Sequence, residues 1–233
     1  MIGAVGAIGV AVVGALAHGT YHRNSPFFGS ALGTLPLAAP GERVAALTFD
    51  DGPNPEATPR ILDALAESGT TATFFLLGRH VERWPEIARR VAADGHVIGN
   101  HGWHHRKLHT RGPASVRQDL ELGTAAIRGA TGVRPTVFRA PHGFRSPWVT
   151  SIARSLGQRT IGWSLGVWDT ARPGAAEIVR RTVNGTRPGS ILLLHDGDGY
   201  DALGDRTQTA DAVPRIVAGL TGQGYRLVGV PAA

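Results

Sequence analysis

An α/β fold, with a parallel sheet curled into a distorted (β/α) barrel, is predicted from two features of the sequence. Seven short runs rich in β-branched and aromatic residues alternate with amphipathic segments of helical period. Such alternation is typical of parallel strands joined by helical crossovers, and seven strands favour a barrel over an open sheet. With 233 residues, of which 42% are hydrophobic, the chain can bury the core of a single domain.

The predicted strands are short and are bordered by Gly, Pro or Asp. They are Val44–Phe49, Thr71–Leu77, His96–Gly99, Thr136–Phe138, Thr160–Ser164, Ile191–Leu194 and Arg226–Val230. Five predicted helices each stop at a glycine, as helix ends commonly do. One starts at Thr58 and stops at Gly69, and the others are Pro85–Asp94, Ser115–Thr131, Ser146–Leu156 and Thr207–Gln223.

Three regions follow one another along the chain. Residues 1–17 carry no charged side chain, and several glycines dilute their hydrophobicity. This leader fits a membrane anchor, a cleaved export signal or a buried or surface helix, and the first two would give the chain membrane contact or export. Residues 18–40 are rich in Gly, Pro, Ser and Ala and are interpreted as a linker or a strap, and residues 41–233 as the catalytic domain.

The composition restricts the partners and the chemistry. The net charge of +6 favours anionic surroundings such as an anionic cell wall. The basic residues are dispersed rather than clustered, so nucleic-acid binding is not expected. Cysteine is absent, which excludes disulfides, thiolate metal sites and cysteine nucleophiles.

Polar clusters follow four of the predicted strands at the point where each strand ends. They are Asp50–Pro53, Asn100–His105, Arg139–Gly143 and His195–Asp196. In a parallel barrel the carboxyl ends of the strands open at one mouth, where the active sites of such barrels lie. We therefore expect Asp, His and Arg side chains from four strands to converge there.

Two histidines and two carboxylates in these clusters suggest a metal site. His101 and His105 are four residues apart, so one helical turn or a tight loop can direct both imidazoles to one point. With one carboxylate they form a His₂-Asp set, which suits Zn²⁺ with an open position for water. Asp50 and Asp51 repel each other unless one meets a cation, so we expect one to bind metal and the other to act as a base. A solvated histidine loop and an Asp-Gly-Pro turn are the alternatives.

Four motifs, taken in order, resemble those of the polysaccharide deacetylases, carbohydrate esterase family four. They are Thr48–Pro53, His101 with His105, Arg139–Gly143 and Leu193–His195, so the resemblance covers nearly everything after the linker. It implies a distorted barrel with fewer than eight regular strands. It also implies metal-dependent removal of N- or O-acetyl groups from sugars.

The resemblance implies a metal centre and a base. Asp51, His101 and His105 would bind the divalent metal, most often Zn²⁺, with Co²⁺, Mn²⁺ or Ni²⁺ as alternatives. Asp50 would be the general base that takes a proton from the attacking water. A metal polarises the amide carbonyl and makes hydroxide accessible near neutral pH, which is why this chemistry needs it.

The resemblance also implies an acid and several supporting residues. His195 would protonate the leaving amine, and an unperturbed pKa of about 6.5 suits this task. Arg139 would hold the base, and Asp169 would assist His195 or Arg139. The turn Pro141-His142-Gly143 would contact substrate, with a backbone N–H near His142 stabilising the oxyanion, and Leu193 would line the pocket for the acetyl methyl.

Three positions depart from the family pattern. Gly102 stands where Ser or Thr is common, which removes a hydrogen bond to the histidine pair. His142 replaces a tyrosine at the rim of the site. Thr170 replaces a tryptophan that would wall the substrate site, and Trp168 or Trp163 is expected to compensate.

The leading functional prediction is a metal-dependent hydrolase that removes acetyl groups, preferably N-acetyl, from an envelope glycan. Peptidoglycan and chitin-type oligomers of N-acetylglucosamine are the candidate substrates. A glycan-binding module that has lost turnover and a hydrolase of small amides or esters are the alternatives. The leader and the basic charge predict a place in the cell envelope, membrane-anchored or secreted rather than cytoplasmic, and the oligomeric state stays open.

Overall fold

The computed structural model describes residues 2–231, with side chains from Val12 onward. Helices and parallel strands alternate through most of this range. The helices are α1 Ile2–Tyr21, α2 Ala57–Glu67, α3 Gly78–Arg83, α4 Pro85–Ala93, α5 Pro113–Thr131, α6 Pro147–Ser155, α7 Ala175–Gly185 and α8 Thr207–Gly222. The strands are β1 Val44–Asp50, β2 Thr73–Leu76, β3 Val97–Asn100, β4 Val137–Phe138, β5 Arg159–Thr160, β6 Leu165–Gly166, β7 Ser190–His195 and β8 Arg226–Val228.

The strands form one curled parallel sheet, which confirms the predicted α/β fold and distorted barrel. Its order is β5-β4-β3-β2-β1-β7-β6, and β8 pairs with the first half of β1. The strand predicted at residues 160–164 is instead two short strands, β5 and β6. The break between them contains Gly162, whose carbonyl accepts a hydrogen bond from the buried Arg139 rather than from a neighbouring strand.

Two helices were not predicted. α3 has only six residues, too few to show a helical period. α7 buries Ile178 and Thr182 and packs Val179 and Val183 against the large core, but this amphipathic segment was not recognised in the sequence. Both helices follow strand ends and leave the predicted α/β alternation intact.

The alternation of side chains along β1 decides what reaches the mouth of the barrel. Leu47 and Phe49 point to the large core between the sheet and the helices, whereas Val44 and Ala46 belong to the core inside the barrel. Side chains two residues apart on a strand share a face. Asp50 therefore lies on the inner face, at the last residue of the strand.

The N-terminal segment packs along the opening of the sheet. Leu32 pairs with Ile161, just after β5, and Thr34 pairs with Ser190, the first residue of β7. The segment therefore connects the β5 edge of the sheet with the start of β7, the strand next to the short edge strand β6. Within the described residues, no helix has both the length and the apolar character needed to cross a membrane.

Candidate active site

A cavity of about 580 Å³ opens at the carboxyl ends of the strands. Most of the predicted site residues line it, as convergence of the strand ends requires. These are Asp50, Asp51, His101, His105, His142, Gly143, Trp168, Asp169, Leu193 and His195. Of the remaining two, Arg139 is buried behind Asp50, and Pro141 is buried and does not line the cavity.

Asp51, His101 and His105 form a cluster that could hold a metal ion. Their ligand atoms lie within 4.8 Å of one another, and all three residues are buried. Asp51 Oδ1 lies 3.3 Å from His101 Nε2 and 3.1 Å from His105 Nε2. This oxygen is buried and has no hydrogen-bond partner among the described residues, so it is available as a metal ligand. One carboxylate and two imidazoles are the donors that a catalytic zinc site uses, so the residues present fit the ion.

The protonation states of this cluster also suit a cation. Burial opposes ionisation of Asp51, but His105 and His101 hold the pKa of its carboxyl well below the usual range. Burial lowers the pKa of His105 to about 3, so this imidazole is neutral and can act as a ligand. Asp50 and Asp51 outweigh burial and raise the pKa of His101, so a bound cation would displace its proton.

Asp50 is held in place by a buried arginine. Arg139 Nη1 donates to Asp50 Oδ1 at 2.6 Å and to Thr48 Oγ1 at 2.8 Å, while Nη2 donates to the carbonyl of Gly162 at 2.9 Å. The guanidinium also lies 4.1 Å above the ring of Phe75. These contacts leave Asp50 Oδ2, which lies 3.8 Å from His101 Nε2, free to take a proton.

The orientation of His101 follows from one backbone contact. Its Nδ1 lies 2.8 Å from the carbonyl oxygen of Arg139, to which it donates. That bond fixes the tautomer and directs Nε2 toward Asp51, as in many metal sites. Since Arg139 also binds Asp50, this single residue directly after β4 positions both His101 and Asp50.

The loop between His101 and His105 is held by Asp119, which no pattern in the sequence marks. This buried carboxylate on α5 accepts from the backbone N–H of Trp103 at 3.0 Å and contacts His104 Nδ1 at 2.6 Å. Gly102 has a φ of +81°, and a Cβ there would lie 2.5 Å from Asp119 Oδ2. His105 Nδ1 has no hydrogen-bond partner among the described residues.

His195 and Asp169 form a buried pair on the other side of the cavity. Asp169 accepts from the backbone N–H of His195 at 2.8 Å, from its Nδ1 at 2.9 Å and from Thr209 Oγ1 at 2.9 Å. Burial opposes the charge on His195, but Asp169 outweighs it and raises the pKa of the imidazole to about 9. Asp169 thus contacts His195 rather than Arg139, and His195 carries a proton at neutral pH.

A second buried carboxylate holds the Asp51 turn. Asp196 Oδ1 accepts from the backbone N–H of Gly52 at 3.1 Å, and Oδ2 accepts from Thr58 Oγ1 at 2.6 Å. A Cβ on Gly52 would overlap this carboxyl, so only glycine fits there. Burial raises the pKa of Asp196 to about 7.

The backbone is strained at residues that surround the cavity. Asp51, His105, His142 and Trp168 have φ values between +59° and +75°, a region that residues with a Cβ rarely adopt. Such conformations persist only where surrounding contacts enforce them, and they cluster at functional sites. Two of the four are the metal-ligand candidates Asp51 and His105.

Aromatic side chains form the exposed rim. Trp168 is 75% exposed and Tyr200 is 70% exposed, and both line the cavity. The hydroxyl of Tyr200 lies 3.0 Å from His142 Nε2. His142 stands where the family pattern has a tyrosine, so Tyr200 from another loop places a tyrosine beside this position. Tyr200 was missed because it lies in the loop after β7, where the sequence shows no motif.

Fold and site together are those of a metal-dependent hydrolase whose active site lies at the carboxyl ends of the strands of a parallel barrel. The family model described as polysaccharide deacetylase matches residues 38–161. A chitooligosaccharide deacetylase from Sinorhizobium fredii is 37% identical over 206 residues, which cover 86% of this chain and 96% of that protein. The chain belongs to the polysaccharide deacetylase family, and the predicted hydrolytic function is confirmed at that level.

Solved structures agree with this assignment. A peptidoglycan N-acetylglucosamine deacetylase is 31% identical and superposes with a TM-score of 0.79, covering 86% of this chain and 91% of that one. A pseudoenzyme of the same carbohydrate esterase family from Bacillus anthracis is 27% identical, with a TM-score of 0.74, and covers 82% of this chain and 65% of that one. Because the family includes a pseudoenzyme, the individual residues of the site decide whether a member turns over.

Proposed function

We propose that this chain deacetylates N-acetylglucosamine units of a cell-envelope glycan, with Asp51, His101 and His105 holding one zinc ion. The observation that carries the proposal is the Asp51–His101–His105 cluster, whose ligand atoms lie within 4.8 Å of one another beside a free carboxylate oxygen of Asp50. A bound divalent ion supplies a Lewis acid for the amide carbonyl and makes hydroxide accessible near neutral pH. Zinc is proposed because two imidazoles and one carboxylate are its usual catalytic donors.

Asp50 is proposed as the general base. Arg139 occupies Oδ1 at 2.6 Å, so Oδ2 is the oxygen that takes the proton from water as it attacks the acetyl carbon. The ion pair with the buried guanidinium fixes the rotamer of Asp50. The carboxylate that accepts the proton is thus in position before the substrate arrives, which lowers the entropic cost of orienting the reacting groups.

His195 is proposed as the general acid. An amine is a poor leaving group until it is protonated, and His195 carries a proton at neutral pH because Asp169 raises its pKa to about 9. Asp169 binds Nδ1, so Nε2 is the nitrogen that delivers the proton to the departing amine. The backbone N–H near His142 is proposed to stabilise the oxyanion of the tetrahedral intermediate, a contribution commonly worth about 3 kcal/mol.

The substrate is proposed to lie along the exposed aromatic rim. Leu193 lines the cavity between the proposed metal cluster and the His195–Asp169 pair. It is proposed to contact the acetyl methyl group. Trp168 and the turn at His142 and Gly143 are proposed to contact the sugar, since aromatic faces stack well on sugar rings. Relatives named for chitooligosaccharide and peptidoglycan support an N-acetylglucosamine substrate and an envelope location.

Acetate release and metal content measured on one sample test the proposal. The protein is stripped with a chelator, reloaded with Zn²⁺, and assayed on oligomers of N-acetylglucosamine and on peptidoglycan fragments. We expect acetate release that disappears on stripping and returns on reloading with one ion per chain. Turnover that persists in metal-free protein contradicts the mechanism. Glycan binding without acetate release would instead favour the non-catalytic module, and release from small amides alone would favour the third interpretation.

A further inference from the structure

Arg23, in the segment after α1, lines the catalytic cavity. Its Nε donates to the carbonyl of Trp163 at 2.9 Å and its Nη2 to the carbonyl of Ser164 at 3.3 Å. The guanidinium lies 5.4 Å from the centre of the Trp163 ring. Two carbonyls and an aromatic face thus fix the position of a positive charge in the wall of the cavity, while Nη1 has no hydrogen-bond partner among the described residues.

The segment that carries Arg23 is anchored on both sides. The buried Arg145 donates to the carbonyls of Ser25 at 2.6 Å and Gly29 at 3.0 Å. Leu32 then exchanges backbone hydrogen bonds with Thr160 and Gly162 at 3.0 and 2.9 Å. Arg23 is therefore a fixed part of the cavity wall.

The charges around the cavity leave Arg23 as the cation without a carboxylate. Asp50 is bound by Arg139 and Asp169 by His195, while Asp198 is bound by Arg206 at 2.7 Å. Asp51 faces the two metal-binding histidines. No described carboxylate forms an ion pair with Arg23. A carboxylate is the ligand that the geometry and charge of a guanidinium held by neutral carbonyls favour.

We infer that Arg23 binds a carboxylate carried by the glycan beside the N-acetylated sugar, so that the substrate is an acidic glycan rather than a neutral one. This inference rests on the proposed function and narrows its substrate. The net charge of +6 would add attraction for such a polymer at longer range. A neutral oligomer of N-acetylglucosamine would offer Nη1 of Arg23 only uncharged oxygen acceptors, which bind a guanidinium more weakly than a carboxylate does.

Three oligomers of equal length test the inference with the zinc-loaded enzyme. The first alternates N-acetylglucosamine with N-acetylmuramic acid and carries free lactyl carboxylates. The second is the same oligomer with each carboxylate converted to a primary amide, and the third contains N-acetylglucosamine alone. We expect kcat/KM for acetate release to be about 10-fold higher for the acid than for its amide, since a charge-assisted hydrogen bond commonly supplies at least that factor. The difference should lie in KM and should shrink as salt is added.

Variants of Arg23 assign the preference to this residue. Arg23→Gln should reduce the ratio of acid to amide to about 1, and Arg23→Lys should keep part of it because the charge remains. Arg43→Gln is the matched control, since Arg43 packs on the ring of Tyr225 outside the cavity and its loss changes the net charge equally. It should keep the wild-type ratio.

Two results would overturn the inference while the proposed function stands. In the first, the wild type deacetylates the acid and the amide equally well. In the second, Arg23→Gln slows both substrates alike and leaves their ratio at the wild-type value, as a purely structural role of Arg23 would. A wild type that releases acetate from none of the three oligomers would overturn the proposed function and this inference with it.

Discussion

The floor of the cavity is buried, whereas its rim is open to solvent. Asp50, Asp51 and His101 on the floor are each no more than 5% exposed, but Trp168 and Tyr200 on the rim are at least 70% exposed. Floor residues lie at or just after strand ends and are held by buried polar partners. Rim residues lie on loops and on the N-terminal segment, and Tyr200 contacts both His142 and the ring of His105.

This difference separates the chemistry from the choice of substrate. Buried partners such as Arg139 and Asp169 fix the positions of the proposed base and acid, and any change there leaves a charge unpaired in the interior. The side chain of Trp168 on the rim is 75% exposed, so it can change without disturbing the floor. All three departures from the family motifs, at Gly102, His142 and Thr170, leave the proposed metal ligands, base and acid intact.

The largest effect is expected for Asp50→Asn on the floor. The variant keeps the metal ligands and the shape of the side chain but cannot accept the proton from water. We expect kcat to fall by at least about 10²-fold, in line with the contribution of general bases. The metal content of the same sample, measured by mass spectrometry, should stay at the wild-type level. A turnover rate near wild type would remove Asp50 from the role of base.

Asp169→Asn should change the pH dependence. His195 keeps its proton below its pKa of about 9, so activity that needs this proton is present below that pH and is lost as the pH rises through it. Without the carboxylate, the pKa of His195 falls, and the descending limb of kcat against pH should move to lower pH. Asp63→Asn, a change at a surface pair with Arg90, should leave the limb in place. An unmoved limb in Asp169→Asn would show that another group titrates there.

Asp119→Asn should loosen the loop that carries both histidine ligands. The variant exchanges the carboxylate contact of His104 for a weaker one without touching the ligands themselves. We expect zinc affinity, measured by competition with a chelator, to fall by about 10-fold, as is usual for outer partners of metal ligands. Glu121→Gln, an exposed change on the same helix, should have no effect. Equal affinities in both variants would mean that the loop holds its shape without Asp119.

Trp168→Ala on the rim should have the smallest effect. Loss of one aromatic face should raise KM for the oligomer by about 3-fold to 10-fold, which corresponds to the usual energy of such contacts. The value of kcat should change little, because the floor is untouched. Trp168→Phe should retain most of the affinity. A fall in kcat with unchanged KM would place Trp168 among the residues that support the chemistry.

The floor could be predicted from the sequence because strand ends carry it. Each polar cluster follows a short apolar run, and the geometry of a parallel barrel brings such ends together whatever the intervening loops do. Asp50 and His195 even lie opposite each other in the register of β1 and β7. The sequence therefore predicted which side chains meet, and the resemblance supplied their roles.

Asp119, Arg23 and Tyr200 could not be predicted in the same way. Asp119 lies within α5, and nothing marks a helical aspartate as the partner of a loop sixteen residues earlier. Arg23 and Tyr200 reach the cavity only because of the particular paths of the N-terminal segment and of the loop after β7. Such paths depend on long-range packing, which leaves no local pattern in the sequence.

The most direct test of the central claim is an anomalous difference map, recorded at the zinc absorption edge from a crystal soaked in zinc chloride. The account predicts one strong peak bonded to Asp51, His101 and His105, at about 2.0–2.2 Å from each ligand atom, with an open position facing the cavity. A soaked crystal with no peak among these three side chains, or with the ion bound elsewhere, would contradict it.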